Sequence, residues 1–212
     1  MEDKWYLNYD FDSNPFEINP IKDEPRQLIG LEDLEKEIVY RILSGNMLFI
    51  EGDSGKGKTA LLRYAIDNFR GHGKVMYVDS QRVNKVINVE ELLINANKFR
   101  GRILGKKPKR MILLIDNIES LTKRNWERIK YYFDQDYIRS VVFTGKNYKS
   151  VKFPGSIKSR IGNRIIKLNS VTLTEAIQII QERLGDDYEE ILKSNSKPTE
   201  NSKKAIPISD NV

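Results

Sequence analysis

The segment that most restricts the fold is "NMLFIEGDSGKGKTALLRYAIDNF", residues 46–69. A short apolar run is followed by a glycine-rich loop and then by apolar residues at helical spacing, which predicts a buried strand, a loop and a helix. The loop fits G-x-x-x-x-G-K-[ST] with Gly52, Gly57, Lys58 and Thr59. Glycines let the backbone curl with its N–H groups pointing inward, and the helix N-terminus adds partial positive charge. The segment therefore predicts a loop that binds phosphate groups.

The residue types in this loop predict how a nucleotide would be held. Lys58 is suited to neutralise β and γ phosphates, and the Thr59 hydroxyl is suited to hold Mg²⁺. The predicted cofactors are therefore ATP and Mg²⁺. The predicted nucleotide-binding residues are Gly52, Asp53, Ser54, Gly55, Lys56, Gly57, Lys58, Thr59 and Ala60.

A second candidate metal ligand ends the most apolar run of the chain, "RMILLID" (residues 110–116). Burying a carboxylate at the end of an apolar strand is costly unless it meets a cation. A Mg²⁺-bound phosphate supplies one, so Asp116 is predicted to act with Thr59 at the metal. The alternative is that Asp116 only caps the following turn.

Apolar runs and helical patterns alternate along most of the chain. Continuous apolar strands that alternate with helices indicate an α/β fold, a parallel sheet with helices on both faces. The predicted strands are residues 46–52, 74–80, 110–116, 139–145 and 163–168, with a loop between the last two. The predicted helices are residues 31–45, 57–69, 88–104, 122–133 and 170–185.

Composition excludes several kinds of site. The chain has no cysteine and one histidine, His72, so disulfides, thiolate metal sites and a Ser-His-Asp triad are excluded, and His72 is interpreted as a solvated loop residue. A net charge of +6 is compatible with nucleic-acid contact but does not demonstrate it. The N-terminus is unlike a signal peptide and no apolar run approaches 18 residues, which predicts a cytoplasmic protein without a membrane anchor.

Four motifs occur in the order found in one large family. They are the lead-in and helix "NPFEINPIKDEPRQLIGLEDLEKEI", the loop "GDSGKGKT", the strand "ILLIDNIE", and "VVFTGKN" followed by "SIKSRIGNRIIKLNSVTLTEAIQIIQERL". With these stretches the chain resembles the AAA+ P-loop ATPases over about residues 14–184, in particular the branch of clamp loaders and archaeal origin-recognition initiators. The resemblance implies an AAA+ core at residues 28–170.

Three flanking segments are also predicted, the arm and the tail from composition and the lid from the resemblance. These are an extended arm at residues 1–27, the start of a helical lid at residues 171–192, and a flexible tail at residues 193–212. The lid helix opens with a Thr172–Glu175 capping box, and its stripe of Ile177, Ile180 and Leu184 is expected to pack.

Further residue roles also follow from the resemblance. Arg160 corresponds to an arginine finger, which reaches the γ-phosphate of a neighbouring subunit and so implies a homo- or hetero-oligomer. Thr144, with Asn147 as the alternative, corresponds to the polar residue that touches the γ-phosphate or the attacking water. The alternatives are that Arg160 is a surface arginine in a basic loop, and that Thr144 and Asn147 are strand-end caps.

The chain departs from the family pattern at the residue after Asp116. The family has Glu there to polarise the attacking water, and this chain has Asn117. Asparagine can orient a water molecule but cannot accept its proton. Glu119 lies two residues further on, and only a kinked backbone would bring it to the same water. A second lid arginine has no counterpart after Gly185, so the chain is similar to a copy truncated in the lid or to a stripped-down relative.

These features predict an ATP-binding, Mg²⁺-dependent ATPase with slow hydrolysis that acts in DNA replication or a related DNA transaction through nucleotide-dependent assembly. The alternatives are a non-hydrolysing, ATP-dependent binding module and a signalling ATPase of the STAND type. DNA is a possible partner, because "LGKKPKR" (104–110) and "KRNWERIKYY" (123–132) are basic. The plainer interpretation, which we favour, is a solvated loop and a helix whose aromatic side chains pack on the sheet.

Overall fold

The computed structural model describes residues 6–7, 11, 14–16, 28–69, 75–82, 87–96, 108–185 and 189. The chain divides into two compact units. One comprises residues 18–171, and the other comprises residues 1–17 with residues 172–212. His72, which was predicted to be a solvated loop residue, and most of "LGKKPKR" lie outside the described residues.

The larger unit is built on a five-stranded sheet in which every described pairing is parallel. The strands are β1 (Met47–Glu51), β2 (Val75–Asp79), β3 (Met111–Asp116), β4 (Ile138–Gly145) and β5 (Ile165–Lys167), in the spatial order β2-β3-β4-β1-β5. All five predicted strands are present. Every residue of β3 is buried, as its unbroken apolar run requires. Because the strands are parallel, their carboxyl ends meet at one edge.

Helices cover both faces of this sheet, which confirms the predicted fold class. In the larger unit they are α1 (Glu32–Leu43), α2 (Lys58–Phe69), α3 (Val89–Ala96), α4 (Lys123–Asp134) and α5 (Gly155–Ile161), with a 3₁₀ turn at Ile118–Ser120. Alternate strand residues face opposite layers: Phe49 of β1 packs with α3, α4 and α5 residues, whereas Ile50 packs with α1 and α2 residues.

The structure corrects one predicted connection and describes only part of one predicted helix. The loop predicted between β4 and β5 was wrong, because that connection contains α5, where Ile157 and Ile161 lie one helical turn apart and are both fully buried. The helix is only seven residues long, too short for periodicity to indicate it. Of the helix predicted over residues 88–104, the structure describes α3, and residues 97–104 lie outside the described part.

The smaller unit contains α6 (Leu173–Leu184). Its N-terminus has the predicted capping box, in which the Thr172 hydroxyl accepts from the Glu175 N–H and the Glu175 side chain accepts from the Thr172 N–H. Leu184 is buried as expected, but Ile177 and Ile180 are 41% and 38% exposed, so the predicted packing stripe is only partly covered. Within the described residues, no helix combines the length and apolar character needed to span a membrane.

Candidate phosphate-binding site

The glycine-rich loop follows β1 directly and leads into α2. Gly55 and Gly57 have φ angles of 84° and 85°, which glycine adopts readily. A Cβ atom at Gly57 would also lie 3.2 Å from Leu31 Cδ1. Gly52 is buried, and a Cβ there would lie 3.3 Å from Leu168 Cβ. Conformation and crowding therefore account for glycine at these positions.

Lys58, the first residue of α2, folds back over the loop. Its Nζ donates to the carbonyl oxygens of Gly52 and Asp53, both at 2.7 Å, and the residue is only 8% exposed. Burial lowers the pKa of the Lys58 ammonium, while the carboxylates of Asp116 and Glu119 act in the opposite direction. The cation is therefore held at the loop with carboxylates nearby.

The other predicted loop residues are more open to solvent. Asp53 and Ser54 are exposed, and Asp53 Oδ2 pairs with Lys56 Nζ at 3.0 Å. The hydrogen bond from Lys56 lowers the pKa of the Asp53 carboxyl. Ala60 lies in the first turn of α2 and is half-buried.

Asp116 is the centre of the site and is 1% exposed. Its Oδ2 accepts from Thr59 Oγ1 at 2.7 Å and from the Tyr77 hydroxyl at 3.2 Å, and its Oδ1 accepts from the Thr144 hydroxyl. The fold thus brings Thr59, Asp116 and Thr144 together. Three hydroxyl donors satisfy the buried carboxylate, as a buried charge requires.

The donor set at Thr59 and Asp116 fits Mg²⁺. The described residues contain no group of three or more His, Cys, Asp or Glu side chains that could hold a metal by themselves. Mg²⁺ in nucleotide sites uses one or two carboxylates with phosphate oxygens and waters, so such a cluster is not needed. A hydroxyl and a carboxylate 2.7 Å apart beside the phosphate loop supply oxygen ligands of the right kind.

Asn117 turns its side chain toward β2. Its backbone is left-handed, with φ 57° and ψ 55°, and its N–H donates to Thr144 Oγ1 at 3.1 Å. Its Nδ2 donates to Asp79 Oδ1 at 3.1 Å, and Asp79 also pairs with Arg82 at 3.2 Å. The carboxamide is therefore engaged with the end of β2.

Glu119 follows in the 3₁₀ turn. A kinked backbone was predicted to be necessary for Glu119 to turn back, and the left-handed residue Asn117 supplies that kink. The Glu119 carboxylate reaches the end of β4, where its Oε1 accepts from the Lys146 N–H at 2.7 Å. A Cβ at Gly145 would lie 3.1 Å from this oxygen. The Gly145 carbonyl accepts from the Gly52 N–H at 3.1 Å, so the Glu119 carboxylate lies on the phosphate-loop side. There it opposes the lowering of the Lys58 pKa.

Two predicted residues lie in other surroundings. Asn147 is exposed, and its Oδ1 accepts from the Lys149 N–H at 2.8 Å in the turn after β4. Arg160 on α5 pairs with Asp134 of α4, with Nη2 2.7 Å from Oδ1, and its Nη1 donates to the Ser156 carbonyl. In this chain Arg160 therefore joins α4 to α5.

Tyr77, Asp79 and Ser80 belong to the site but were not predicted from the sequence. The Ser80 N–H donates to the Asp116 carbonyl at 2.9 Å, and its hydroxyl bonds to the Asn117 carbonyl and lies 2.8 Å from Ser120 Oγ. Tyr77 and Asp79 lie in β2 and Ser80 follows it directly, all beside β3. Predicting them would have required the order of strands in the sheet. Once β2 is known to neighbour β3, its last residues are expected next to Asp116.

The predicted aromatic edge on α4 is mostly internal. Trp126 and Tyr132 are 4% and 7% exposed, whereas Tyr131 is 57% exposed. This agrees with the plainer interpretation of that helix. Of "LGKKPKR", only residues 108–110 are described.

Comparisons with known proteins agree with this geometry. The chain is similar to the chromosomal replication initiator protein DnaA of Spiroplasma citri, with 31% identity over 157 residues that cover 66% of this chain and 33% of that protein. Its fold is similar to Orc1 of Aeropyrum pernix in complex with DNA, with a TM-score of 0.57, 17% identity, and coverage of 81% of this chain and 52% of that one.

The fold is also similar to a replication initiator DnaA bound to AMPPCP and single-stranded DNA, with a TM-score of 0.51, 19% identity, and coverage of 76% of this chain and 53% of that one. The chain has the AAA+ P-loop fold. The predicted resemblance to AAA+ proteins is thereby confirmed. No family model matches the chain. The chain spans about a third of the length of the curated relative that it matches.

Proposed function

We propose that this AAA+ chain binds ATP with Mg²⁺, hydrolyses it slowly, and acts in DNA replication or a related DNA transaction through nucleotide-dependent assembly. The observation that carries the proposal is the hydrogen bond between Thr59 and the buried Asp116 beneath Lys58. Similarity to replication initiators supports the DNA transaction. Assembly rests on the resemblance of the Arg160 segment to an arginine finger.

The residues of the phosphate-binding site have separate proposed roles. The N–H groups of the loop and the Lys58 ammonium bind and orient the phosphates, and Thr59 and Asp116 would hold Mg²⁺. When bound, Mg²⁺ supplies electrostatic stabilisation of charge on the phosphate oxygens. Thr144 fixes the Asp116 carboxylate and the Asn117 backbone, and so sets the positions of both.

Glu119 is the group that we propose to orient the attacking water and accept its proton. Its Oε1 is held by the Lys146 N–H, and its Oε2 accepts no hydrogen bond from the described residues. Asn117 lacks a basic carboxylate and is engaged with Asp79. General-base assistance is typically worth about 10²–10⁴-fold, and a base placed two residues beyond the family position would supply only part of it, so we expect slow turnover.

The engaged Asn117 also favours a second candidate function, a module that binds ATP without hydrolysing it. Phosphate release from wild type and from Glu119→Gln distinguishes the two. A slow wild-type rate that falls further in Glu119→Gln supports hydrolysis, whereas equal rates at background support the binding module.

Nucleotide binding is tested with two lysine variants, one inside the loop and one outside it. Lys58→Ala is expected to weaken binding of an ATP analogue by about 10-fold or more, since a charged hydrogen-bonding group contributes about 1.5–3 kcal/mol. Lys130→Ala is the control, because Lys130 pairs with Asp134 on α4 and is not part of the loop. Calorimetry that shows equal affinity for both variants would refute the assignment of the loop.

A double variant tests the position after Asp116. Asn117→Glu alone would place two carboxylates together, because Asp79 Oδ1 lies 3.1 Å from Asn117 Nδ2. Asn117→Glu with Asp79→Asn reverses the pair and retains one donor and one acceptor. The double variant is expected to turn over faster than wild type and than the single variant. If neither variant exceeds wild type, the missing carboxylate is not what limits the rate.

A further inference from the structure

We propose that the segment 146–158, here called the lysine loop, binds the sugar–phosphate backbone of nucleic acid through Lys149, Lys152 and Lys158. The inference deepens the proposed function and rests on its nucleic-acid partner, because it assigns a surface to that contact. The starting observation is charge: residues 146–171 contain seven Lys and Arg residues and no Asp or Glu.

Apolar residues fix the lysine loop to the core. Tyr148, Val151 and Phe153 pack against the core cluster that contains Phe49 and Trp126. Ring centroids of Tyr148 and Phe153 lie 5.0 Å apart, and those of Trp126 and Phe153 lie 5.2 Å apart. The Tyr148 N–H also donates to Glu51 Oε2 at 2.8 Å. The backbone is therefore held in place from beneath.

The residues between these anchors face solvent. Lys149 and Lys152 are exposed and alternate with the partly buried anchors along the segment, and Lys158 is exposed on α5. A fixed backbone presents these three charges without the cost of ordering a loop on binding. This arrangement suits a long polyanion.

Acidic groups from other elements do not neutralise these three lysines. Asp134 pairs with Arg160, Glu51 lies 3.8 Å from Lys167, and Glu119 accepts from the Lys146 N–H. Within the described residues, Lys149, Lys152 and Lys158 form no ion pair. Their charge is therefore available to phosphates.

The surface around the lysines favours nucleic acid over a membrane surface. Membrane-surface binding combines basic residues with exposed large apolar side chains. Among the described residues the exposed large hydrophobic side chains all lie outside residues 146–158. Because the aromatic rings of the lysine loop face inward, they are not a platform for base stacking. The contact is therefore with phosphates and has no sequence preference.

The test compares wild type with Lys149→Gln/Lys152→Gln/Lys158→Gln. Binding to a labelled mixed-sequence oligonucleotide, single-stranded in one arm and duplex in the other, is measured by anisotropy between about 50 and 200 mM salt. Loss of three phosphate contacts should reduce the slope of log K against log salt by about 2 for a single strand and about 3 for a duplex. Either arm supports the inference, and the arm that changes identifies the form bound.

Two controls keep the test specific. Lys123→Gln/Arg124→Gln/Arg128→Gln on α4 makes the same charge change elsewhere and should leave the slope unchanged. Replacing the three lysines of the lysine loop by arginine keeps the charge and should keep wild-type binding. ATP-analogue affinity, measured for each variant, verifies the fold.

The contrary outcomes are separable. Three results would overturn the inference while nucleic-acid binding stands. The glutamine variant could keep the wild-type salt slope, or the α4 variant could reduce the slope as much as the glutamine variant does. The third such result is an arginine variant that binds the oligonucleotides as weakly as the glutamine variant. If wild type binds the ATP analogue but neither oligonucleotide, both the inference and the DNA part of the proposed function are overturned.

Discussion

Asn117 combines two features whose costs can be separated by substitution. Its backbone is left-handed, which costs an ordinary L-residue such as Ala about 1–2 kcal/mol and glycine little. Its Nδ2 donates to the Asp79 carboxylate, and hydrogen bonds to charged groups contribute about 1.5–3 kcal/mol. We take the lower end, because Asp79 keeps its pair with Arg82 after the loss.

Asn117→Gly is therefore expected to reduce the free energy of unfolding by about 1.5 kcal/mol, and Asn117→Ala by about 2.5 kcal/mol. The difference of about 1 kcal/mol is the cost of the left-handed backbone. Asn163→Ala is the control: Asn163 is exposed and is not among the positive-φ residues, so its replacement should stay within about 0.5 kcal/mol.

The measurement is urea denaturation followed by the fluorescence of Trp126, which is buried near Phe143, in a background with Trp5 replaced by Phe. Midpoints are compared at equal m-value. A glycine variant that is as unstable as the alanine variant would contradict the claim that the backbone at this position is strained for alanine. A glycine variant as stable as wild type would contradict the claim that the Asp79 contact stabilises the fold.

Two further predictions concern contacts that the sequence did not indicate. Tyr77→Phe removes one hydrogen-bond donor to Asp116. It should raise the Mg²⁺ concentration needed for ATP-analogue binding by about 5-fold, as expected for the loss of about 1 kcal/mol at a 3.2 Å contact. Tyr64→Phe, in the same core layer, should leave that concentration unchanged, and equal effects of the two variants would refute the role of Tyr77 at Asp116. Asp134→Asn should cost at most about 1 kcal/mol of stability, since the pair with Arg160 is partly exposed. The Asp134→Asn variant should keep ATP turnover at high protein concentration, whereas Arg160→Ala should lose it. Equal ATP turnover in the two variants would leave Arg160 with a structural role only.

The parts of the fold that were predicted from the sequence are those determined by residues contiguous in the chain. The phosphate loop is such a segment, because its glycines, Lys58 and Thr59 lie together between a strand and a helix. The proximity of Thr59 and Asp116 follows from topology alone, since parallel strands end at the same edge. Roles assigned to Thr144, Asn147 and Arg160 stay predictions, although the structure shows what each side chain contacts.

The rest depended on contacts between residues far apart in the chain. Asp134 and Arg160 meet only because α4 and α5 pack together. Asn117 reaches Asp79 only because β2 neighbours β3, and its left-handed backbone has no local pattern beyond the tolerance of asparagine for that conformation. Such pairs require the spatial order of the strands, which apolar periodicity does not contain.

The position of β1 within the sheet has a consequence for synthesis of the chain. Its two neighbours are β4 and β5, and Met47 pairs with Val141, 94 positions later. At a translation rate of about 5–20 residues per second, β1 waits roughly 5–20 s before its first neighbour is made. During that interval the apolar segment "MLFIE" has both edges unpaired, which is the condition under which strands aggregate. Nascent chains that stop before β4 should therefore need a chaperone and bind no nucleotide, because the loop that begins at Gly52 is anchored by its N–H bond to the Gly145 carbonyl.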